Sequence, residues 1–218
     1  MKRDYETGLF LILGNMFGGK TSELIRRLEK YKVAEIPLQV FRTSFDNRYG
    51  KQGLTSHNQM KIRADIVKDT KDLISKIKTS TRIIGIDELQ FFSEELAEFC
   101  IENSSRYQII ATGLLTNYRG EPFSFRDSKN FEKDAKIKVT DLIAQAKETM
   151  ILDSVCTFST SEEGICGKNA RYCQRLRTDG SPSRYNDQTI IVGGKESYYP
   201  RCSEHFIRPK PLKTIDPQ

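Results

Sequence analysis

Apolar positions along the first 150 residues switch between two periods. Leu9-Phe10-Leu11-Ile12-Leu13 is an unbroken apolar run, as in a strand covered on both faces. From Thr21 onward, Leu24, Ile25, Leu28 and Tyr31 line one face of a helix. Leu38 to Phe41 reads as a second strand. Leu73, Ile74 and Ile77 mark a short helix ending before Thr79. Ile83-Ile84-Gly85-Ile86 gives a third strand, and Ser93 is placed to cap a helix that turns Leu96, Phe99 and Cys100 inward. Ile109 to Ala111 gives a fourth strand. Residues 124–138 are polar and Lys-rich and read as a mobile loop, with Asp141 to Met150 as one more helix. Strands alternating with helices predict an α/β fold with a mostly parallel sheet. Near residue 151 the pattern gives way to cysteines, glycines and short strands. This divides the chain into a domain over 1–150 and a smaller one over 151–218.

Composition narrows the picture. With 218 residues, 37 % of them hydrophobic and 29 % charged, the chain has a soluble globular profile. The run from Leu9 to Leu13 is too short to cross a bilayer, so no membrane partner is expected. It is also short for a signal peptide and runs into Gly14 and Lys20 rather than a cleavage site, so the expected location is cytoplasmic. The formal net charge is +6, and the stretch from Lys168 to Lys213 holds ten Lys/Arg against four Asp/Glu. That basic segment suits a nucleic acid, a phosphate-bearing small molecule or simply solvent. Five cysteines are an odd count for a disulfide framework. Cys100 falls on an apolar helix face and reads as core.

Three constellations carry chemistry. Gly14-Asn15-Met16-Phe17-Gly18-Gly19-Lys20-Thr21 fits the G-x-x-x-x-G-K-[ST] phosphate loop, with the required strand before it and helix after it. Its glycines let backbone N–H groups face phosphate oxygens. Lys20 would neutralise the phosphates, and the Thr21 hydroxyl would ligate Mg²⁺. Asp87-Glu88 follows the third strand, so Asp87 is expected in the Mg²⁺ shell. Glu88 would either orient a water or take a proton from a substrate hydroxyl. Finally, Cys156 and Cys166 with the C-x-x-H pair Cys202 and His205 would close a tetrahedral, structural Zn²⁺ site, with Cys173 as a rival ligand.

Taken in order, these residues resemble the type II thymidine kinases from about Gly8 to His205. Gly14–Thr21 is similar to that family's G-P-M-F-x-G-K-[ST] loop, and Asp46-Asn47-Arg48-Tyr49 to its D-x-R-Y segment. Ser56-His57-Asn58, Asp87-Glu88-Leu89-Gln90-Phe91-Phe92 and Tyr118-Arg119-Gly120-Glu121-Pro122-Phe123 match further motifs. Ile191 to Tyr198 resembles a lasso that ends at a metal-ligand cysteine, here Cys202. The resemblance implies a P-loop (RecA-like) α/β fold with helices on both faces and a small zinc-stabilised lobe carrying the lasso. It implies transfer of the ATP γ-phosphate to the 5′-hydroxyl of thymidine in deoxynucleotide salvage, with Glu88 as catalytic base. Gly14, Asn15, Met16, Phe17, Gly18, Gly19, Lys20, Thr21, Asp46, Arg48, Asp87, Leu89 and Gln90 would serve the ATP side. Met16, Phe91, Leu114, Tyr118, Phe123 and Cys173 would line the nucleoside pocket. Thr189, Ile190, Ile191, Val192 and Gly193 would grip the pyrimidine, and Tyr198 would anchor near the sugar. A homotetramer and feedback inhibition by dTTP are implied as well.

The chain departs from the pattern in several places. Asn15 stands for a Pro, Arg42-Thr43 for Lys-Pro, and Tyr118 for a Phe. Nine residues separate Cys156 from Cys166 where the family has two. Cys173 falls where many members carry Thr or Ser beside the thymine methyl, which makes it a pocket residue and brings deoxyuridine in as a second substrate. A competing function, a zinc-containing nucleic-acid-binding P-loop ATPase, explains the phosphate loop and basic segment but not the other motifs. Under the kinase reading no nucleic-acid partner is expected.

Overall fold

The computed structural model describes residues 5–45, 54–55, 61–130, 133–162, 164–189 and 197–211. At its centre six strands form one sheet: β1 (Gly8–Gly14), β2 (Leu38–Thr43), β3 (Asp65–Val67), β4 (Ile83–Asp87), β5 (Gln108–Leu114) and β6 (Glu148–Leu152). Their spatial order is β6-β1-β5-β4-β2-β3, and every neighbouring pair is parallel. Parallel neighbours need crossovers. Helices α1 (Lys20–Val33), α2 (Thr70–Lys76) and α3 (Glu95–Asn103) lie in them.

The run that opens the chain is apolar throughout because both its faces are covered. Phe10 and Ile12 of β1 join Leu24, Ile25 and Leu28 of α1 in one core. Leu9, Leu11 and Leu13 point the other way, into a second core with Leu73 of α2 and Leu96, Phe99 and Cys100 of α3. Full burial of each such side chain contributes about 1.5–3 kcal/mol. The α/β class, the parallel sheet and helices on both faces are thus as expected, and no helix among the described residues is long and apolar enough to cross a membrane.

The structure corrects three local expectations. Residues 124–138 are not simply a loop. Ser124–Arg126 pairs antiparallel with Asp134–Lys138, while Phe125 and Ala135 enter the core. Arg126 also holds Asp134 at 2.8 Å. Residues 141–150 form no α-helix. A 3-10 helix spans Val139–Gln145, burying Val139 and Leu142, and the chain then extends into β6 beside β1. Ser93 does not cap α3 with its side chain; the N-cap is Glu94, and Ser93 instead makes a bridge to Arg126.

Beyond Ser154 no described residue joins the central sheet. Short antiparallel ladders follow: Ser154–Val155 with Asn169–Ala170, Ser159–Thr160 with Gly164–Ile165, and Tyr172–Arg175 with Tyr198–Arg201. The second of these accommodates the extra residues between Cys156 and Cys166 as an exposed hairpin.

Candidate active site

The strand order sets the carboxyl ends of β1, β5 and β4 side by side, where parallel sheets place their ligand crevices. The turn leaving β1 is tightly determined. Gly14 has φ 154°, and a Cβ there would stand 2.0 Å from the Leu152 carbonyl oxygen. Asn15 N–H donates to that same carbonyl at 3.3 Å. The chain then turns through Gly19, at φ 83°, into α1, whose start has no side-chain cap. Lys20 is buried, and its Nζ donates to the Asn15 carbonyl at 2.7 Å. This folded-back pose holds the cation over the loop. An uncapped helix start with a lysine above it is a site for an anion.

Across the crevice, Asp87 ends β4. The Thr21 Oγ1 lies 3.3 Å from both carboxylate oxygens of Asp87. Two oxygens of one octahedral Mg²⁺ shell stand about 2.9 Å apart, so this pair fits such an ion with little adjustment. Glu88 follows in a left-handed conformation, φ 60° and ψ 60°. Its carboxylate accepts a hydrogen bond from Gln90 Nε2. The Gln90 side chain, fully buried, in turn accepts from Leu114 N–H at 3.0 Å.

A second group of residues holds the segment after Arg175. Arg175 is fully buried, with its guanidinium 3.8 Å from the centre of the Tyr118 ring. It donates to Ser183 Oγ at 2.8 Å and to the Gln188 carbonyl. The Tyr118 hydroxyl faces three carbonyls: Asp187 at 2.6 Å, and Arg184 and Tyr185 at 3.0 Å each. Arg119 reaches the Tyr185 and Asp187 carbonyls and Thr189 Oγ1, which in turn donates to Asp134. Residues 184–189 are therefore fastened to the Tyr118–Arg119 turn.

Cys156, Cys166, Cys202 and His205 converge, their ligand atoms all within 4.8 Å of one another. Sulfurs on one tetrahedral Zn²⁺ lie about 3.8 Å apart. The observed separations are 4.0 Å for Cys166–Cys202, 3.7 Å for Cys156 to His205 Nδ1 and 3.4 Å for Cys202 to the same nitrogen. Burial opposes ionisation of Cys156, but N–H groups of Cys202 and Phe158 and the His205 ring outweigh it and draw the thiol down to about 6. Phe158, in the segment leading into the hairpin, stacks on the His205 ring at 4.1 Å. A soft divalent cation fits this set. Cys173 stands apart, opposite Pro200, and burial pushes its thiol up to about 12 despite Lys20 and Arg201 nearby.

The other expected site residues are placed as follows. Met16 is half-buried and Phe17 exposed on the loop. Phe91 faces Phe45, ring centres 5.6 Å apart. Leu89 and Phe123 are buried in the second core, which leaves mainly their backbone to any ligand, and Leu114 packs against the same core. Tyr198 pairs with Arg175. Asp46, Arg48, Ser56–Asn58 and Ile190–Gly193 lie outside the described residues. Thr112 and Arg175 join the site without having been singled out by sequence, whereas Arg119 lies in the Tyr118–Phe123 match. The one signal available for Thr112 is a polar residue late in the apolar run of β5, and it says nothing of Arg175.

Two likenesses agree with this arrangement. A family model for thymidine kinase matches residues 7–206. The thymidine kinase of Thermococcus kodakarensis is 35 % identical over 207 residues, which cover 92 % of this chain and 94 % of that protein. The matched span takes in the loop before α1, the acidic pair closing β4 and the cysteine–histidine cluster together, and on that extent the chain belongs to the thymidine kinase family.

Proposed function

We propose that this chain transfers the γ-phosphate of ATP to the 5′-hydroxyl of thymidine, and of deoxyuridine as a second substrate, in pyrimidine deoxynucleotide salvage. The observation that carries the reading is the 3.3 Å approach of Thr21, which follows the Gly14–Lys20 loop, to Asp87, with Glu88 next in the chain. Loop N–H groups, the start of α1 and Lys20 would hold the triphosphate. Thr21 and Asp87 would hold Mg²⁺, which when bound neutralises phosphate charge. Glu88 would accept the 5′-hydroxyl proton as that oxygen forms its bond to the γ-phosphorus and the bond to ADP breaks. Most of the acceleration would come from positioning and charge, as is general for phosphoryl transfer.

Residues 151–218 would form the lobe that closes over the nucleoside. Tyr118 and Arg119 hold residues 184–189, which would lie beside the nucleoside, and the Cys₃His cluster would bind a structural Zn²⁺ that fixes the roots of the lasso. A homotetramer, dTTP inhibition and a cytoplasmic location complete the proposal and follow from the family. The test is phosphorylation of thymidine, deoxyuridine, deoxycytidine and purine deoxynucleosides by purified protein with MgATP, with Glu88→Gln as control. Formation of thymidine 5′-monophosphate, lost in the variant, is expected. No nucleoside product, with ATP hydrolysis stimulated by DNA, would replace the reading with a nucleic-acid-dependent ATPase.

A further inference from the structure

We propose that Thr112 is a positioning residue for the transfer step, acting through Glu88; this rests on the reading of Glu88 as the base. Thr112 sits near the end of β5. Ile86 of β4 pairs with Ala111 of β5, so the next residues along, Asp87 and Thr112, are neighbours across the two strands. The Thr112 side chain is fully buried. A hydroxyl has one proton and two lone pairs, and both kinds of group are engaged here. Thr112 Oγ1 donates to Asp87 Oδ1 and accepts from Glu88 N–H at 3.1 Å.

That geometry answers a local problem. Glu88 is one of the non-glycine residues with positive φ, at 60°. Such a conformation persists only where its surroundings enforce it. The hydrogen bond from Glu88 N–H to Thr112 supplies that constraint at the backbone. Two residues further along β5, Leu114 N–H fixes Gln90, and Gln90 holds the Glu88 carboxylate. One strand therefore fixes Glu88 at both ends. The Thr112 hydroxyl also sets the spacing between the base and Asp87, because the same oxygen contacts both. A β-branched hydrophobe at position 112 would keep the shape and lose both hydrogen bonds.

The experiment is a double-mutant cycle with Thr112→Val, Thr112→Ser and Glu88→Gln, read as kcat and KM for thymidine and ATP. Thr112→Val is expected to lower kcat about 10- to 100-fold, the effect of a misplaced catalytic group, with both KM values within about twofold. Thr112→Ser keeps the hydroxyl and is expected to stay within about threefold of the parent. In the Glu88→Gln background, Thr112→Val is expected to cost less than about twofold more, because there is no base left to position. Hydrogen exchange of the Glu88 amide should quicken in Thr112→Val and not in Thr112→Ser. If the valine protein does not fold, Thr112→Ala enters the same cycle. A Thr112→Val kcat equal to the parent's, or a loss undiminished in the Glu88→Gln background, overturns the proposal. Full activity of Glu88→Gln would overturn the assignment of the base instead, so the two failures are distinct.

Discussion

The hydroxyl that Tyr118 carries in place of a phenylalanine finds the carbonyls of Arg184, Tyr185 and Asp187 around it. Arg119 also donates to the last two, so removing the hydroxyl leaves neither of them without a donor. Tyr118→Phe should therefore lower stability by only about 1 kcal/mol, the net value of one hydrogen bond. Its larger effect should be a severalfold rise in KM for thymidine at nearly constant kcat, because residues 184–189 lose a fastening. Thermal melts and steady-state kinetics on one preparation would show both, and an unchanged KM would remove Tyr118 from the hold on that segment. Gly14 is a harsher case. Its φ of 154°, and the 2.0 Å that would separate an added Cβ from the Leu152 carbonyl oxygen, leave no room for any side chain. Gly14→Ala should cost about 3 kcal/mol or more, seen in urea unfolding, since a backbone carbonyl must move to relieve the overlap.

At the scale of elements, α1 is tied to the sheet by charge as well as by leucines. Glu23, in the first turn, is held down at about 2, chiefly by its hydrogen bond from Arg26; burial opposes this and Arg27 assists. Arg27 reaches on to Glu148 of β6 at 2.7 Å. A carboxylate depressed in the folded state stabilises fully above its ordinary value of 4.5, and that stabilisation is lost as pH falls toward 2. The melting temperature should fall across this window, and Glu23→Gln should flatten part of the fall. Equal slopes for parent and variant would assign the acid sensitivity to other carboxylates. Elements like α1 and β1 are legible in sequence because a single period or an unbroken run describes each one. The strand pair around Phe125 and Ala135 is hidden by the lysines between, whose charge reads as loop although Ser124, Phe125, Arg126 and Ala135 are buried. The stretch at Val139–Leu152 fits no single period, because a 3-10 helix passes directly into an edge strand. The loop before α1 is legible from its spacing, whereas the cysteine–histidine cluster is legible from its residue types, and only the fold sets Cys173 apart from it. Thr112 and Arg175 are not, because their roles depend on which residue the neighbouring strand or loop presents to them.

Across the whole molecule, the described residues beyond Ser154 gather into one small apolar cluster: Cys156, Ala170 and Cys202, with Phe158 and Cys166 packed alongside. A cluster so small needs a staple, and the proposed zinc would supply one. Chelation should abolish activity by releasing the lasso without removing any catalytic group; demonstrably zinc-free enzyme at full activity would refute this. The loss should also reach ATP. The Asn15 side chain, in the loop before α1, donates to the Ala170 and Tyr172 carbonyls while accepting from Met16 N–H. Partial metal removal should therefore raise KM for ATP as well as for thymidine, and Asn15→Ala should raise KM for ATP in the zinc-replete protein. The same tie has a consequence for how the two substrates meet. With nucleotide on the loop and nucleoside under the lobe, any factor by which one tightens the other must act equally in reverse. Under the proposed function, Asn15 would thereby make the two occupancies conjugate, so that scarcity of either substrate would loosen the hold on its partner.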